Sequence, residues 1–380
     1  RHDVNDNRQR HGVQDTGDLV RHPARAGKLP SGSLSLVSVD QVLLASPRGF
    51  CAGVEMAIKA LAWMVRSFDP PVYCYHEIVH NQLVVDRFRS LGVVFVDDVS
   101  QVPEGRPLML SAHGSAPEVV KEARERGGYV VDAVCPLVTK VHHEVRVRSK
   151  KGYRIIYVGH QGHEEAVGTM AVAPDAISLV EDSDQVANLP EFQEPLAMLA
   201  QTTLSHRDWE GVLQATKERF PDVWMPGRSD LCFATTNRQS ALASIAQRCD
   251  AVIVIGSANS SNTMALAKLA KESGCEQVFR INSGSELPEG LRGTVGVTAG
   301  ASAPEELVEA VIRHLSPKLG VEEVSITDED EYFPPPREIR ELLSALETAV
   351  HATLAVPADA RVVPLDREIA ASEVLASLAD

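Results

Sequence analysis

The sequence has few cysteines, no long apolar run and fewer basic than acidic residues. Six cysteines among 380 residues are too few for a disulfide scaffold, so a reducing, cytoplasmic location is expected. No apolar stretch approaches the roughly 18 residues that span a bilayer, and the first forty residues lack the apolar core of a secretory signal. Neither a membrane protein nor an exported one is therefore expected. The net charge of −15 also disfavours nucleic acid as a partner.

What is present is typical of a soluble α/β protein. Hydrophobic residues make up 44% and charged residues 23% of a chain long enough for two or three domains. Short apolar runs of strand length alternate with segments of helical period, which predicts mostly parallel sheets. The predicted strands are Val42–Ala45, Val72–Tyr75, Val93–Val96, Leu108–Leu110, Tyr129–Val131, Arg154–Val158, Ala197–Ala200, Ala251–Ile255 and Thr294–Val297.

Three cysteines suggest the domain organisation. Cys51, Cys135 and Cys232 lie 84 and 97 residues apart, about one small domain each. This spacing favours three similar α/β domains that each present one cysteine to a shared centre. The predicted ranges are a mobile leader over 1–40, domains over 41–133, 134–229 and 230–320, and an acidic, Ala-rich extension over 341–380 with a net charge of −5.

The same three cysteines stand in segments rich in Gly, Pro, Thr and Asn, as reactive or ligating residues often do. The other three, Cys74, Cys249 and Cys275, are interpreted as packing residues, since a free cysteine is commonly a small buried hydrophobe. Dispersed cysteines do not form a zinc ribbon, which needs paired Cys-x-x-Cys spacing. They can hold three irons of a [4Fe-4S] cluster and leave the fourth iron open to a substrate.

The segment His76–His80 reads His-Glu-x-x-His, the signature of zinc peptidases. In those enzymes both histidines lie on one face of a continuous helix. Here the motif directly follows a predicted strand, so at best it opens a helix. Histidines in a strand-to-helix loop are the favoured interpretation.

Polar side chains follow several predicted strands, at the sheet edge where α/β proteins bind ligands. His80, His113 and His163 occur with Ser260, Ser261, Asn262 and Ser302 in such segments. Together with helix N-termini they suit a phosphate or diphosphate. Each serine by itself could equally be a helix N-cap. No G-x-x-x-x-G-K-[ST] loop occurs, so nucleotide hydrolysis is not supported.

The ordered motifs resemble those of the 4-hydroxy-3-methylbut-2-enyl diphosphate reductases, the last enzymes of the methylerythritol phosphate route to isoprenoids. The matching segments are Leu44–Val54, His76–Asn81, Ser111–Gly114, Asp132–His142, Gly159–His163, Gln201–Ser205, Cys232–Gln239, Asn259–Asn262 and Gly296–Pro304. The resemblance covers about residues 41–340, so 321–340 is the C-terminal segment of the family core. It implies a pseudo-threefold α/β trefoil around a central iron–sulfur site.

The resemblance also implies a role for each matched residue. Cys51, Cys135 and Cys232 would be the ligands of a [4Fe-4S] cluster with one iron not ligated by cysteine. The implied substrate-binding residues are His80, His113, His163, Thr202, Ser260, Ser261, Asn262 and Ser302. Glu165 would supply protons, with Thr202 and His163 as further catalytic residues.

Three positions depart from the family pattern. Glu164 stands where proline is usual, so the second acid, Glu165, is the matching one. Val167 replaces an acid, and Ser115 replaces a valine. These departures remove no matched residue, but they change the expected hydrogen-bond network behind Glu165.

The implied reaction removes the hydroxyl of the substrate with two electrons and protons and gives isopentenyl and dimethylallyl diphosphates. A carrier such as ferredoxin or flavodoxin would deliver the electrons. The basic stretch Arg146–Arg154 could attract an acidic carrier, although a solvated helix end is the favoured interpretation. The alternative function is an iron–sulfur electron carrier or redox sensor, which would need no diphosphate pocket.

Overall fold

The computed structural model describes residues 38–354, 357, 362–363 and 365–378. The strands are β1 Ser38–Ser46, β2 Val72–Tyr75, β3 Val93–Val96, β4 Leu108–Leu110, β5 Val130–Asp132, β6 Arg154–Val158, β7 Ile177–Val180, β8 Leu196–Ala200, β9 Ala251–Ile255, β10 Gln277–Ile281, β11 Arg292–Ala299 and β12 Val321–Ser325. The helices are α1 Ala52–Ser67, α2 Gln82–Ser90, α3 Pro117–Glu125, α4 Pro136–Lys150, α5 Glu164–Met170, α6 Ser183–Ala187, α7 His206–Arg219, α8 Phe233–Ala246, α9 Ser261–Glu272, α10 Glu305–Leu315, α11 Arg337–Leu354 and α12 Ala371–Ser377. Within these ranges, no helix combines the length and the apolar character that crossing a membrane would require.

The strands form three separate parallel sheets, each covered by helices. Their orders are β10-β9-β11-β1-β12, β3-β2-β4-β5 and β7-β6-β8. Every strand pair in the described residues is parallel. The prediction of an α/β chain with three small, mostly parallel units is therefore confirmed, and all nine predicted strands are present.

The first strand belongs to the last sheet. β1 lies between β11 and β12, and its apolar residues are buried on both faces. Val42 and Leu44 pack into one core, whereas Leu43 and Ala45 pack into the core on the opposite face. A strand with two apolar faces is stable only in the interior of a sheet. This position differs from the predicted first domain at 41–133, and β12 likewise extends the last sheet beyond the predicted end at 320.

Three helices carry the chain from one sheet to the next. The side chains of α1 pack on the four-stranded sheet, where Leu61 shares a core with Met109. Those of α4 pack on the three-stranded sheet, where Val145 of the helix shares a core with Leu199 of β8. Those of α8 pack on the five-stranded sheet through Leu242. Each of these helices begins directly after one of the three predicted cluster ligands.

The C-terminal extension packs back onto the first helix. Ala371, Val374 and Leu375 of α12 are buried in the same core as the inner face of α1. Beside them Lys59 is only 4% exposed. Its ammonium donates to the carbonyls of Asp366 and Ile369 at 2.9 and 3.2 Å and lies 2.9 Å from the Asp366 carboxylate. A buried charge thus fixes the extension to the core.

Replacing Asp366 with alanine is expected to loosen the extension, because the buried Lys59 ammonium loses its nearest counter-charge. Breaking a buried ion pair costs about 3 kcal/mol. Hydrogen exchange of the α12 amides would measure the loss as a lower free energy of opening. The control is Asp330→Ala, since Asp330 pairs with Arg367 at 2.9 Å but its side chain is 91% exposed. In Asp330→Ala the free energy of opening is expected to change by no more than about 0.5 kcal/mol. Equal changes in both variants would contradict the stabilising role of the buried ion pair.

Candidate functional site

The three cysteines predicted as ligands occupy equivalent positions in the three units. Cys51, Cys135 and Cys232 are the N-cap residues of α1, α4 and α8. Their backbone N–H groups donate to the carbonyls of Ala301, Ala112 and Thr202 at 3.2, 3.0 and 3.0 Å. Each acceptor lies two residues beyond the end of a strand, β11, β4 or β8, and each strand belongs to a different sheet. The site therefore has a threefold construction.

All three cysteines line one cavity of about 110 Å³. Gly53 lies beside two of the three sulfurs, because a Cβ added there would come within 2.9 Å of the Cys135 Sγ and 3.9 Å of the Cys51 Sγ. A larger residue at this position would fill the space beside these sulfurs. The backbone thus leaves a cradle beside the thiols that a bulky inorganic group can occupy.

Burial keeps the thiols protonated in the absence of a metal, whereas several neighbouring groups would stabilise thiolates. Burial, together with the neighbouring Cys51, raises the pKa of Cys135 and raises that of Cys232 to about 12. Thiols that are this hard to ionise become thiolates when a metal binds. The Cys232 sulfur accepts the backbone N–H of Thr235 at 3.2 Å and lies 3.0 Å from its hydroxyl. The N-termini of α1, α4 and α8 also place their positive ends at this centre, where they would stabilise negatively charged sulfurs.

Glu165 and Thr202 form a buried pair in the same cavity. One carboxylate oxygen of Glu165 accepts the Thr202 N–H at 2.7 Å and the other accepts its hydroxyl at 3.0 Å. Burial raises the pKa of Glu165 to about 7, against the opposing effect of these hydrogen bonds. A carboxylic acid with this pKa can hold and release a proton near neutral pH.

The three predicted histidines are brought together beside this pair. The rings of His80 and His113 stack with their centroids 4.0 Å apart, and His163 lies edge-on at 5.6 and 6.3 Å from them. Burial and the neighbouring rings lower the pKa of His113, and they lower that of His163 to about 3. The rings of His113 and His163 are therefore neutral at pH 7, and each has one N–H to donate.

The polar residues predicted from α9 and the β11 loop complete the wall. Ser260, Ser261, Asn262 and Ser302 all line the cavity. Ser260 is also the N-cap of α9, where its hydroxyl accepts the Thr263 N–H at 3.3 Å. The Asn262 carbonyl accepts the Ala301 N–H at 3.1 Å, which links α9 to the loop that anchors Cys51. Every residue that the motifs single out for the site thus lines one cavity.

Comparison with known proteins identifies the family. Residues 42–316 match the family described as LytB protein. A 4-hydroxy-3-methylbut-2-enyl diphosphate reductase of Rhodopirellula baltica is 46% identical over 307 residues, which cover 79% of this chain and 96% of the relative. The chain belongs to the LytB family. The reductase of the same name from Actinobacillus pleuropneumoniae serotype 5b is 44% identical over 308 residues, covering 79% of this chain and 98% of the relative.

A solved structure extends the LytB-family match to the fold. The E-1-hydroxy-2-methyl-but-2-enyl-4-diphosphate reductase of Plasmodium falciparum superposes with a TM-score of 0.78 at 31% identity. The match covers 82% of this chain and 99% of that structure. The resemblance drawn from the motifs and the α/β trefoil that it implied are thereby confirmed.

Some residues of this LytB-family site are not predicted from the sequence. Arg238 is 1% exposed and donates to the carbonyls of Gly49 and Phe50 at 3.0 Å, so it fixes the loop that leads to Cys51. Glu329 accepts from Arg238 at 3.0 Å. Phe333 lines the cavity from the segment beyond β12. A buried arginine with carbonyl partners has no signature in sequence, since its partners are distant in the chain.

The His-Glu-x-x-His segment of this LytB-family chain is confirmed as a loop. Residues 76–80 lie between β2 and α2, and His76 has a φ of 59°. The two motif histidines are therefore not on one face of a helix, which removes the peptidase geometry. His80 instead faces the common cavity, whereas His76 lies behind it with its Nδ1 3.6 Å from Glu164.

Proposed function

We propose that this chain reductively dehydroxylates 4-hydroxy-3-methylbut-2-enyl diphosphate to isopentenyl and dimethylallyl diphosphates. The observation that carries the proposal is the single cavity shared by three helix-capping cysteines, a buried acid and the histidine cluster. The names of the relatives at 44–46% identity support the same substrate. An electron carrier or redox sensor would need the cysteines but neither Glu165 nor the histidines beside them.

The cofactor in this proposal is a [4Fe-4S] cluster. Cys51, Cys135 and Cys232 would hold it, and the cradle at Gly53 leaves room beside their sulfurs. With three protein thiolates, one iron has no cysteine ligand. When bound, the cluster supplies single electrons and a Lewis-acidic iron. The Thr235 N–H and hydroxyl near Cys232 would stabilise the negative charge on that sulfur.

The histidine and hydroxyl groups would bind the diphosphate. His80 and His113 offer N–H donors, and α9 presents its N-terminus next to Ser260, Ser261 and Asn262. Ser302 completes this set from the β11 loop, where its hydroxyl donates to the His80 carbonyl at 2.9 Å. Helix N-termini and such donors stabilise phosphate oxygens. Anchoring one end of the substrate would position its hydroxyl near the cysteines, which is a gain in effective concentration.

Glu165 would supply the proton that the leaving hydroxyl needs. The reaction breaks one C–O bond, takes up two electrons and two protons, and releases water. The first proton converts the hydroxyl to water, and the second forms a C–H bond at either of two carbons. Thr202 holds both carboxylate oxygens of Glu165 and would pass the proton to the substrate hydroxyl. His163 lines the same cavity and would contact the substrate.

Anaerobic turnover tests the proposal. Cluster-loaded protein, the hydroxylated diphosphate and a strong one-electron reductant are expected to yield both prenyl diphosphates. Cluster-loaded protein that gives no product would contradict the enzyme function and favour the carrier or sensor. A zinc hydrolase would instead be active in air.

Electron delivery by a protein such as ferredoxin or flavodoxin belongs to the proposal, but the basic stretch is a weak candidate for docking. Arg148 lies 3.4 Å above the Trp224 ring and pairs with Glu144, and Arg154 donates to the Asp175 carbonyl. The stretch also lies at the C-terminal end of α4, some 20 Å along the helix from Cys135 at the rise of about 1.5 Å per residue. These contacts engage Arg148 and Arg154 within the fold, so they favour an ordinary helix end over a docking surface.

A further inference from the structure

Glu164 completes a histidine and carboxylate group at the edge of the cavity. His80, His113 and Glu164 each offer a ligand atom, and these atoms all lie within 4.8 Å of one another. The three residues come from the loop after β2, the loop after β4 and the first turn of α5. A carboxylate oxygen of Glu164 is 2.7 Å from the His113 Nδ1. Two imidazoles and one carboxylate are a common ligand set for zinc and similar metals.

Each of the three residues has a buried polar atom without a hydrogen-bond partner. These atoms are Nε2 of His80, Nδ1 of His113 and Oε2 of Glu164. The close pair of His113 and Glu164 is therefore near enough for a hydrogen bond but not aligned for one. Buried polar atoms without a partner are destabilising, and native proteins rarely leave three together. A cation coordinated by all three would satisfy them at once.

The charges at this position also favour a cation. Burial by itself would raise the pKa of Glu164. The opposite effect of the nearby His113, His80 and His76 is larger, so the pKa is lowered to about 2. Glu164 is thus ionised at pH 7, while the lowered pKa of His113 leaves that ring neutral with a free lone pair. The Glu77 carboxylate lies 3.6 Å from the His80 Nδ1, where it can orient the ring as the outer partners of metal-bound histidines do.

We propose that His80, His113 and Glu164 bind a divalent transition-metal ion such as Zn²⁺. Three protein ligands leave one position of a tetrahedral ion for water. His80 and His113 line the cavity that also holds the cysteines, so the ion would lie at the border of that cavity beside Glu164. The site is distinct from the three thiols, so it does not require an empty cluster site.

Metal binding at this site is expected to inhibit turnover. This consequence rests on the proposed function, in which His80 and His113 bind the diphosphate. A histidine that gives its lone pair to a metal is held in an orientation set by the ion, so His80 and His113 would no longer be available to the diphosphate oxygens. Zinc and the substrate would therefore compete.

Calorimetric titration of the anaerobic, cluster-loaded protein with ZnCl₂ tests the proposal. One zinc ion is expected per chain, with unchanged iron content. Glu164→Gln is expected to weaken zinc binding at least about tenfold, since loss of even an outer partner has that effect. Its turnover in zinc-free buffer should stay unchanged. The control is Asp97→Asn, because the Asp97 carboxylate lies 3.9 Å from the His76 Nδ1 but outside the group and is 97% exposed. Its affinity for zinc should match that of the parent.

The outcomes separate the metal site from the proposed function. Zinc binding that is absent, equally strong in Glu164→Gln, or coupled to loss of iron would overturn the site. After correction for the zinc that free inorganic diphosphate itself chelates, excess diphosphate should still weaken zinc binding in the parent. If it does not, the metal site stands and the competition is overturned. Turnover measured with a chelator present tests the reductase function independently of either result.

Discussion

Replacing Glu165 with glutamine is expected to lower kcat by about 100- to 10,000-fold, the usual contribution of a positioned acid. Glutamine keeps the shape of the side chain, and its carbonyl can still accept the Thr202 N–H that Glu165 accepts at 2.7 Å. The amide can point toward the Thr202 hydroxyl oxygen. Packing is thus retained while the proton is removed, so cluster content and substrate affinity should change little.

The pH dependence of the parent gives a second readout of Glu165. Because burial raises its pKa to about 7, the carboxyl is protonated below that pH and loses its proton as the pH rises. We expect kcat to fall by about tenfold per pH unit above 7 if the acid form is required. In Glu165→Gln, kcat should no longer fall in this way above pH 7.

Glu164→Gln is the matched control for this experiment. The two carboxylates are neighbours in the first turn of α5, but only Glu165 is hydrogen-bonded to Thr202. We expect Glu164→Gln to keep its kcat and its pH profile in zinc-free buffer. Equal losses in the two variants would reject Glu165 as the specific proton donor.

Replacing Cys232 with serine is expected to abolish turnover, with a loss of more than about 1,000-fold and much lower iron and sulfide content. A serine hydroxyl is a poor ligand for iron compared with a thiolate. The Cys232 sulfur also accepts the Thr235 N–H, so the change alters the helix cap as well as the cluster site. Metal analysis and absorption spectra of anaerobic protein would measure the effect.

A cysteine outside the cavity provides the control for Cys232. Cys249 follows the C-terminal end of α8, and its thiol donates to the Ile245 carbonyl at 3.2 Å. Cys249→Ser is expected to keep full iron content and turnover, in line with its interpretation as a packing residue. Iron loss in both variants would mean that the cysteines are not divided as proposed.

Local sequence patterns predict the individual elements better than their assembly. Val72–Tyr75 and Ala251–Ile255 have the predicted bounds because their apolar runs end at polar turns. The place of β1 is not predictable from its own residues. Its two apolar faces require a central position, but they do not specify β11 and β12 as the neighbours. β12 itself is Val-Glu-Glu-Val-Ser, a largely exposed edge strand with weak apolar alternation.

The sequence predicts the motif residues of the candidate site but not the residues that support them. Motif residues such as Cys51 and His113 are recognisable because the family resemblance places them, and the structure brings them to one cavity. Their roles remain predictions. The support around them is not visible in sequence, because Arg238 reaches carbonyls almost 190 positions away and Lys59 reaches Asp366 across more than 300. Such pairs depend on tertiary packing, which local patterns do not encode.

The interior position of β1 has a consequence for synthesis on the ribosome. β1 ends at residue 46, and its neighbour β11 begins only at residue 292. At about 5–20 residues per second, the first strand waits roughly 12–50 s for that neighbour to emerge. During this time β1 lacks both of its native strand neighbours, so its apolar residues would be accessible to chaperones. Cys51, whose N–H partner Ala301 emerges later still, would be the last of the three thiols to reach its final position.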